Sequence, residues 1–172
     1  MIRLPLSRPL SLLLCVLLLY DRFEGAYVEK HGGSYYLFVS AGTCCEGANS
    51  TYEVQVGRSD SLTGPYVDKE GDDLRNGGGT RILDGTRTWV GPGHNSIATD
   101  DAGHDWMVYH AIPRDDPRLS NGINRRPTLI DRIRWEDGWL VINGGEGPTT
   151  TEQPPPEIET TGTGIEKPPE PR

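Results

Sequence analysis

Glu24-Gly25-Ala26-Tyr27-Val28-Glu29-Lys30-His31-Gly32-Gly33-Ser34-Tyr35-Tyr36-Leu37-Phe38-Val39-Ser40 is the stretch on which the fold turns. Two runs rich in β-branched and aromatic residues flank Gly32-Gly33, a dipeptide suited to a tight two-residue turn. The reading is a hairpin, with one strand over Ala26 to Lys30 and a second over Ser34 to Ser40. Leu37, Phe38 and Val39 are consecutive and apolar. The second strand therefore has no polar face and is expected to be buried on both sides.

The same grammar repeats outward. Thr51 to Arg58 alternates, with Tyr52, Val54 and Val56 on one face and Glu53 and Gln55 on the other, as in a half-exposed strand. Thr63-Gly64-Pro65 is a turn, and Arg81 to Leu83 is a short strand after the Gly77-Gly78-Gly79 break. Ser96 to Thr99 and Trp106 to Ala111 flank Asp100-Asp101-Ala102-Gly103. Thr128 to Trp135 and Trp139 to Ile142 flank Glu136-Asp137-Gly138. No helical periodicity occurs between Glu24 and Pro148, so the class is all-β. Two groups of about four antiparallel strands fit two blades of a propeller. The pattern alone equally allows a small sandwich.

The 172 residues suffice for about one domain. The Thr-, Pro- and Glu-rich segment 149–172 cannot bury the apolar area needed to offset chain entropy, and is expected to be a disordered linker or tail. Residues 1–23 form an apolar leader, in which Arg3 and Arg8 precede the run Leu10 to Tyr20. That run has the length of a secretion-signal core, although no small-x-small cleavage site follows it. A short uncleaved anchor and a misjoined gene start are the other readings. A net charge of −8 argues against a nucleic-acid partner, which would demand a basic patch. Cys15 lies in the leader. Cys44 and Cys45 are adjacent, and neighbouring cysteines rarely bridge each other. No Cys or His spacing matches a zinc site.

Four motifs stand in a telling order. Glu24-Gly25-Ala26-Tyr27 opens the first hairpin, and Cys44-Cys45-Glu46-Gly47-Ala48-Asn49-Ser50-Thr51-Tyr52 follows the second strand. Val56-Gly57-Arg58-Ser59 leads to Leu62-Thr63-Gly64-Pro65-Tyr66, and Gly91-Pro92-Gly93-His94-Asn95-Ser96 comes some thirty residues later. This order resembles the C-terminal half of the catalytic domain of glycoside hydrolase family 43, the arabinanase and arabinofuranosidase group. The likeness runs from about Glu24 to Pro148. The cysteine loop is its most specific part. Two departures stand out: Ala26 replaces a common proline, and Ala41-Gly42-Thr43 stands where Phe-Asp-x often precedes the cysteines.

The resemblance implies a five-bladed propeller, of which this chain would supply about two blades. It implies Glu24 as the catalytic acid, with Cys44, Cys45, Asn49 and Ser50 bordering the substrate cleft. It implies His94 as part of a metal site, usually calcium bound largely through waters. A histidine is a poor calcium ligand from first principles, and a hydrogen-bonding role in a glycine-rich loop is the alternative. Inverting hydrolysis also needs a base, about 6.5–9.5 Å from the acid. The family draws it, and a second aspartate that tunes the acid, from the N-terminal half. Asp100, Asp101, Asp115, Asp116 and Asp131 fall in turns or on a later strand and are not assigned.

The expected activity is hydrolysis of an arabinan-type plant polysaccharide (arabinan or arabinoxylan) by a secreted protein, weak or absent in this chain for want of a base. The competing class is a non-catalytic carbohydrate-binding or functionless remnant. Blade faces left uncovered would favour self-association. Trp135 and Trp139 are read as hairpin core, with a sugar platform as the alternative. Arg58 is read as a surface ion pair, with ordering of the site loops as its alternative.

Overall fold

The computed structural model describes residues 22–159. The signal-like leader over 1–21 and the tail beyond residue 159 lie outside the described residues. Eight strands form two antiparallel meanders. The first sheet is β1 (Glu24–His31), β2 (Ser34–Ala41), β3 (Glu53–Ser59) and β4 (Thr80–Leu83), in the order β1-β2-β3-β4. The second is β5 (Trp89–Thr99), β6 (Asp105–Pro113), β7 (Thr128–Glu136) and β8 (Trp139–Ile142), in the order β5-β6-β7-β8. The all-β class and the two four-stranded sheets are as the sequence predicts. The two tight turns fall at Gly32-Gly33 and at Asp137-Gly138, as the dipeptides require.

One segment differs from expectation. Gly91 to Asn95 is not a loop but lies inside an eleven-residue β5. Its register shifts between Val90 and Gly93 and again between Gly93 and Ser96. Such bulges keep a strand paired while bending it. Pro92 falls in the first shift, where the ladder demands no donor.

The sheets pack face to face. Tyr36, Phe38, Val54, Val56 and Leu83 of the first meet Met107, Tyr109, Ala111, Ile133, Leu140 and Ile142 of the second. Each of these large side chains contributes about 1.5–3 kcal/mol when fully buried. The Tyr27 hydroxyl donates to Ile97 O at 3.2 Å, tying β1 to β5. The Tyr36 hydroxyl donates to Gly138 O at 2.6 Å. Arg58 is not a surface ion pair: its guanidinium lies 5.1 Å from the Trp139 ring centroid, and Nη1 donates to Gly138 O. Trp139 is buried in the core, as read. Trp135 stacks on His31 with centroids 3.7 Å apart, so its face is covered by protein rather than offered to a sugar.

The outer face of the first sheet is also covered over β2. Leu37, Val39 and Ala41 pack under Tyr66 and Leu74 of the β3–β4 connection and under Phe23. Phe23 is 7% exposed, so the folded domain takes in a residue expected to belong to the leader. Asp68 holds that connection closed by accepting from the backbone N–H of Glu70, Asp72 and Gly79. Burial opposes its charge, but these bonds outweigh it and lower its pKa. The expected uncovered faces shrink to smaller openings, with Val28 on β1 and Ile130 on β7 about two-fifths exposed, at 40% and 39%.

The tail reading is corrected over 149–159. Thr149 N and Gln153 Nε2 donate to Asp131, which is 2% exposed, and Gln153 also reaches Ile130 O. Further on, Asp101 N donates to Glu157 O, and Glu157 N donates to Asp100. Composition is blind to this, because the docking runs through polar groups and a buried carboxylate rather than through apolar burial.

Candidate active site

The β1–β2 register sets Glu24 opposite Ser40. The Ser40 hydroxyl accepts from the backbone N–H of His94 at 2.8 Å, joining β2 of the first sheet to β5 of the second. Gly25 makes that approach feasible: a Cβ there would stand 3.1 Å from His94 Cγ, and its φ of 60° disfavours any side chain. His94 sits at φ 55°, turned outward by the β5 bulge. Glu24 and His94 are both exposed. The two residues singled out from separate motifs are thus linked across the sheets through Ser40, which pairs with Glu24 and accepts from His94 N.

Beneath them lies Tyr52, 1% exposed. Its ring stacks on His110 with centroids 5.8 Å apart and planes 9° off parallel. Its hydroxyl lies close to Glu24 and Ser40 yet makes no hydrogen bond of normal geometry. Burial, with the Glu24 carboxylate beside it, raises the Tyr52 pKa. A cleft of about 400 Å³ opens next to this group, lined by His94, Ser96, Val108, His110, Arg126 and Thr128. Burial lowers His110 to about 4, helped by the charges of Arg126 and His94 and opposed by Glu24. At neutral pH its imidazole is therefore uncharged, and its Nδ1 is buried without a protein partner.

The cysteine loop reaches the same place. Cys44 and Cys45 form a disulfide, which corrects the expectation that neighbours stay unbridged. Cys45 adopts φ 74°, a left-handed turn that lets adjacent sulfurs meet over a Cα–Cα separation of 3.8 Å. Arg126 Nη1 donates to Cys45 Sγ at 3.5 Å, so the loop meets the cleft at its basic residue. Asn49 is exposed on this loop. Ser50 is 7% exposed, and its hydroxyl accepts from Glu46 N at 3.0 Å, closing the loop from within.

Among the described residues no group of three His, Cys, Asp or Glu side chains could hold a metal ion. Three of the unassigned aspartates, Asp100, Asp116 and Asp131, are occupied elsewhere. Asp100 caps the β5–β6 turn, accepting from Ala102 N, His104 N and Trp106 Nε1. Asp131 accepts from the Tyr109 hydroxyl in the core, and Asp116 pairs with Arg125 at 3.0 Å.

Sequence reasoning missed Ser40, Tyr52, His110 and Arg126 as site residues. Tyr52 and His110 look like ordinary strand positions, since alternation tells which face a residue occupies but not what meets it. Arg126 lies in a loop beside a second arginine, and no spacing distinguishes the two.

A family model described as glycosyl hydrolases family 43 matches residues 19–140. The chain is 41% identical over 126 residues to the extracellular exo-alpha-(1->5)-L-arabinofuranosidase ArbA of Cellvibrio japonicus, covering 73% of this chain and 34% of that protein. It is 43% identical over 116 residues to the extracellular endo-alpha-(1->5)-L-arabinanase 1 of Bacillus subtilis, covering 67% and 33%. The solved Cellvibrio cellulosa alpha-L-arabinanase superposes with a TM-score of 0.65 at 39% identity, over 73% of this chain and 38% of that one. The chain thus spans about a third of the length of these curated relatives, and its two sheets are neighbouring blades of the propeller they share. The motif order and these matches agree: the chain belongs to the glycosyl hydrolases of family 43.

Proposed function

We propose that this chain is the acid-bearing part of a hydrolase that acts on α-1,5-linked arabinan. The observation that carries the reading is the position of Glu24, exposed on β1 opposite Ser40, whose hydroxyl accepts from the N–H of the cleft-lining His94. Glu24 would protonate the departing glycosidic oxygen. Arg126, His110 and the exposed Asn49 offer hydrogen bonds to sugar hydroxyls, and the disulfide forms an apolar rim. The relatives' names favour arabinan over arabinoxylan. Their extracellular naming supports secretion, in line with the signal-like leader.

Hydrolysis with inversion needs a second carboxylate to activate water. Asp100, Asp116 and Asp131 are committed to turns, an ion pair and the core. Among the described residues no second carboxylate lines the cleft, which favours binding without turnover in the chain by itself. Purified chain incubated with linear arabinan is expected to release no reducing ends while still binding the polymer. Turnover that disappears in Glu24→Gln would mean that a base reaches the cleft from elsewhere, such as a second copy. Turnover that persists in Glu24→Gln would remove Glu24 from the reaction.

A further inference from the structure

Asn124 lies in the β6–β7 connection, far in sequence from any motif. Its side chain is used twice, both times on the cysteine loop of the other sheet. Asn124 Nδ2 donates to Cys45 O at 2.6 Å, and Asn124 Oδ1 accepts from Gly47 N at 2.9 Å. A primary amide is the shortest side chain that carries a donor and an acceptor side by side, so it can read one backbone carbonyl and one backbone N–H as a strand would. The loop is shaped to be read. The disulfide and the φ of 74° at Cys45 fix the direction of its carbonyl, and Gly47 at φ 61° turns its N–H back toward Asn124.

The connection that presents Asn124 is itself braced. Arg118 and Asn124 form a bridge, Leu119 N donates to Ile123 O, and Arg118 Nη1 donates to Gly122 O. Arg125 N donates to Pro117 O, so Asn124 is held on both sides. Two residues beyond it stands Arg126, which lines the cleft and touches Cys45 Sγ. Three hydrogen bonds thus tie the cysteine loop to the segment Asn124–Arg126, and Asn124 makes two of them.

We propose that Asn124 is a positioning residue: it latches the disulfide loop of one blade to the Arg126 segment of the next, and so sets the width and polarity of the arabinan-binding rim. The part concerning sugar rests on the arabinan-binding reading above. The latch itself does not.

The test uses the full chain, with hydrogen exchange at the Gly47 amide and calorimetric binding of arabinohexaose as separate readouts. Asn124→Ala is expected to speed exchange at Gly47 by about fivefold or more, the factor for one net hydrogen bond, with the core amide of Phe38 unchanged as the folding control. Asn124→Asp keeps the acceptor for Gly47 N but sets a carboxylate against Cys45 O, and is expected to lose arabinohexaose affinity as Asn124→Ala does. Replacing both Cys44 and Cys45 by Ser is expected to give a similar loss. Combining that change with Asn124→Ala should add little, because both act through one loop. Unchanged exchange at Gly47 in Asn124→Ala overturns the latch. Affinity losses that add fully overturn the coupling to the disulfide. Wild-type chain that takes up no arabinohexaose refutes the sugar-binding reading and with it the positioning role at a sugar rim, while exchange at Gly47 still decides whether the latch exists.

Discussion

Replacing Gly93 with alanine tests how the inner strand, the core and the site are joined. A Cβ on Gly93 would lie 2.2 Å from both Cδ1 and Cε1 of Tyr52. Ordinary contact needs about 3.4 Å or more, so the ring must retreat by roughly 1 Å in a region packed at crystal density. It has little room: Tyr52 is 1% exposed and stacks on His110. Overpacking of this kind costs about 1–3 kcal/mol, and the rigid ring places Gly93→Ala at the upper end. The melting temperature should fall by roughly 5–15 °C for a domain of this size. Urea unfolding followed by tryptophan fluorescence measures the loss. Gly85→Ala is the control, since its Cβ would come no nearer than 3.4 Å to Trp89 O, and it should stay within about 0.5 kcal/mol of wild type. In a Tyr52→Ala background, which costs about 3–5 kcal/mol by itself, Gly93→Ala should cost little more. A loss below about 0.5 kcal/mol for Gly93→Ala in the wild-type background would refute the packing of β5 against Tyr52.

Two further outcomes follow from the same geometry. His110 titrates near 6.5 when unfolded but holds out to about 4 when folded, so the unfolded chain binds the extra proton between these values. Stability is therefore full above about pH 6.5 and falls as pH drops toward 4, by roughly 1–2 kcal/mol after allowance for solvent screening. His110→Gln should flatten that segment of the urea-midpoint profile, and parallel profiles would sink the assignment. Ending the chain at Pro148 removes Thr149 and Gln153 from the buried Asp131, and should cost about 1–3 kcal/mol, read as a lower melting temperature. An unchanged melting temperature would mean that segment 149–159 does not dock.

The sequence by itself determined the strands, the turns and the family. Alternation at Tyr52, Val54 and Val56 names a buried face, and Gly32-Gly33 and Asp137-Gly138 name their turns, because these are local rules of backbone geometry and solvation. Glu24 and His94 stand out in the sequence because each sits in a motif of its own. What only the tertiary structure decided depends on contacts between distant segments. The β5 bulge carries Gly91 to Asn95 through a strand rather than a loop, since its partner β6 supplies the ladder. Cys44 and Cys45 are bridged on a loop that Asn124, some eighty residues on, holds in place. His110 and Arg126 join the site, and residues 149–159 dock on Asp131, through side chains that no periodicity marks. The physical reason is common to all of these: a hydrogen bond or a close approach between two sheets is a property of how they pack, and each strand taken alone carries no record of its partner.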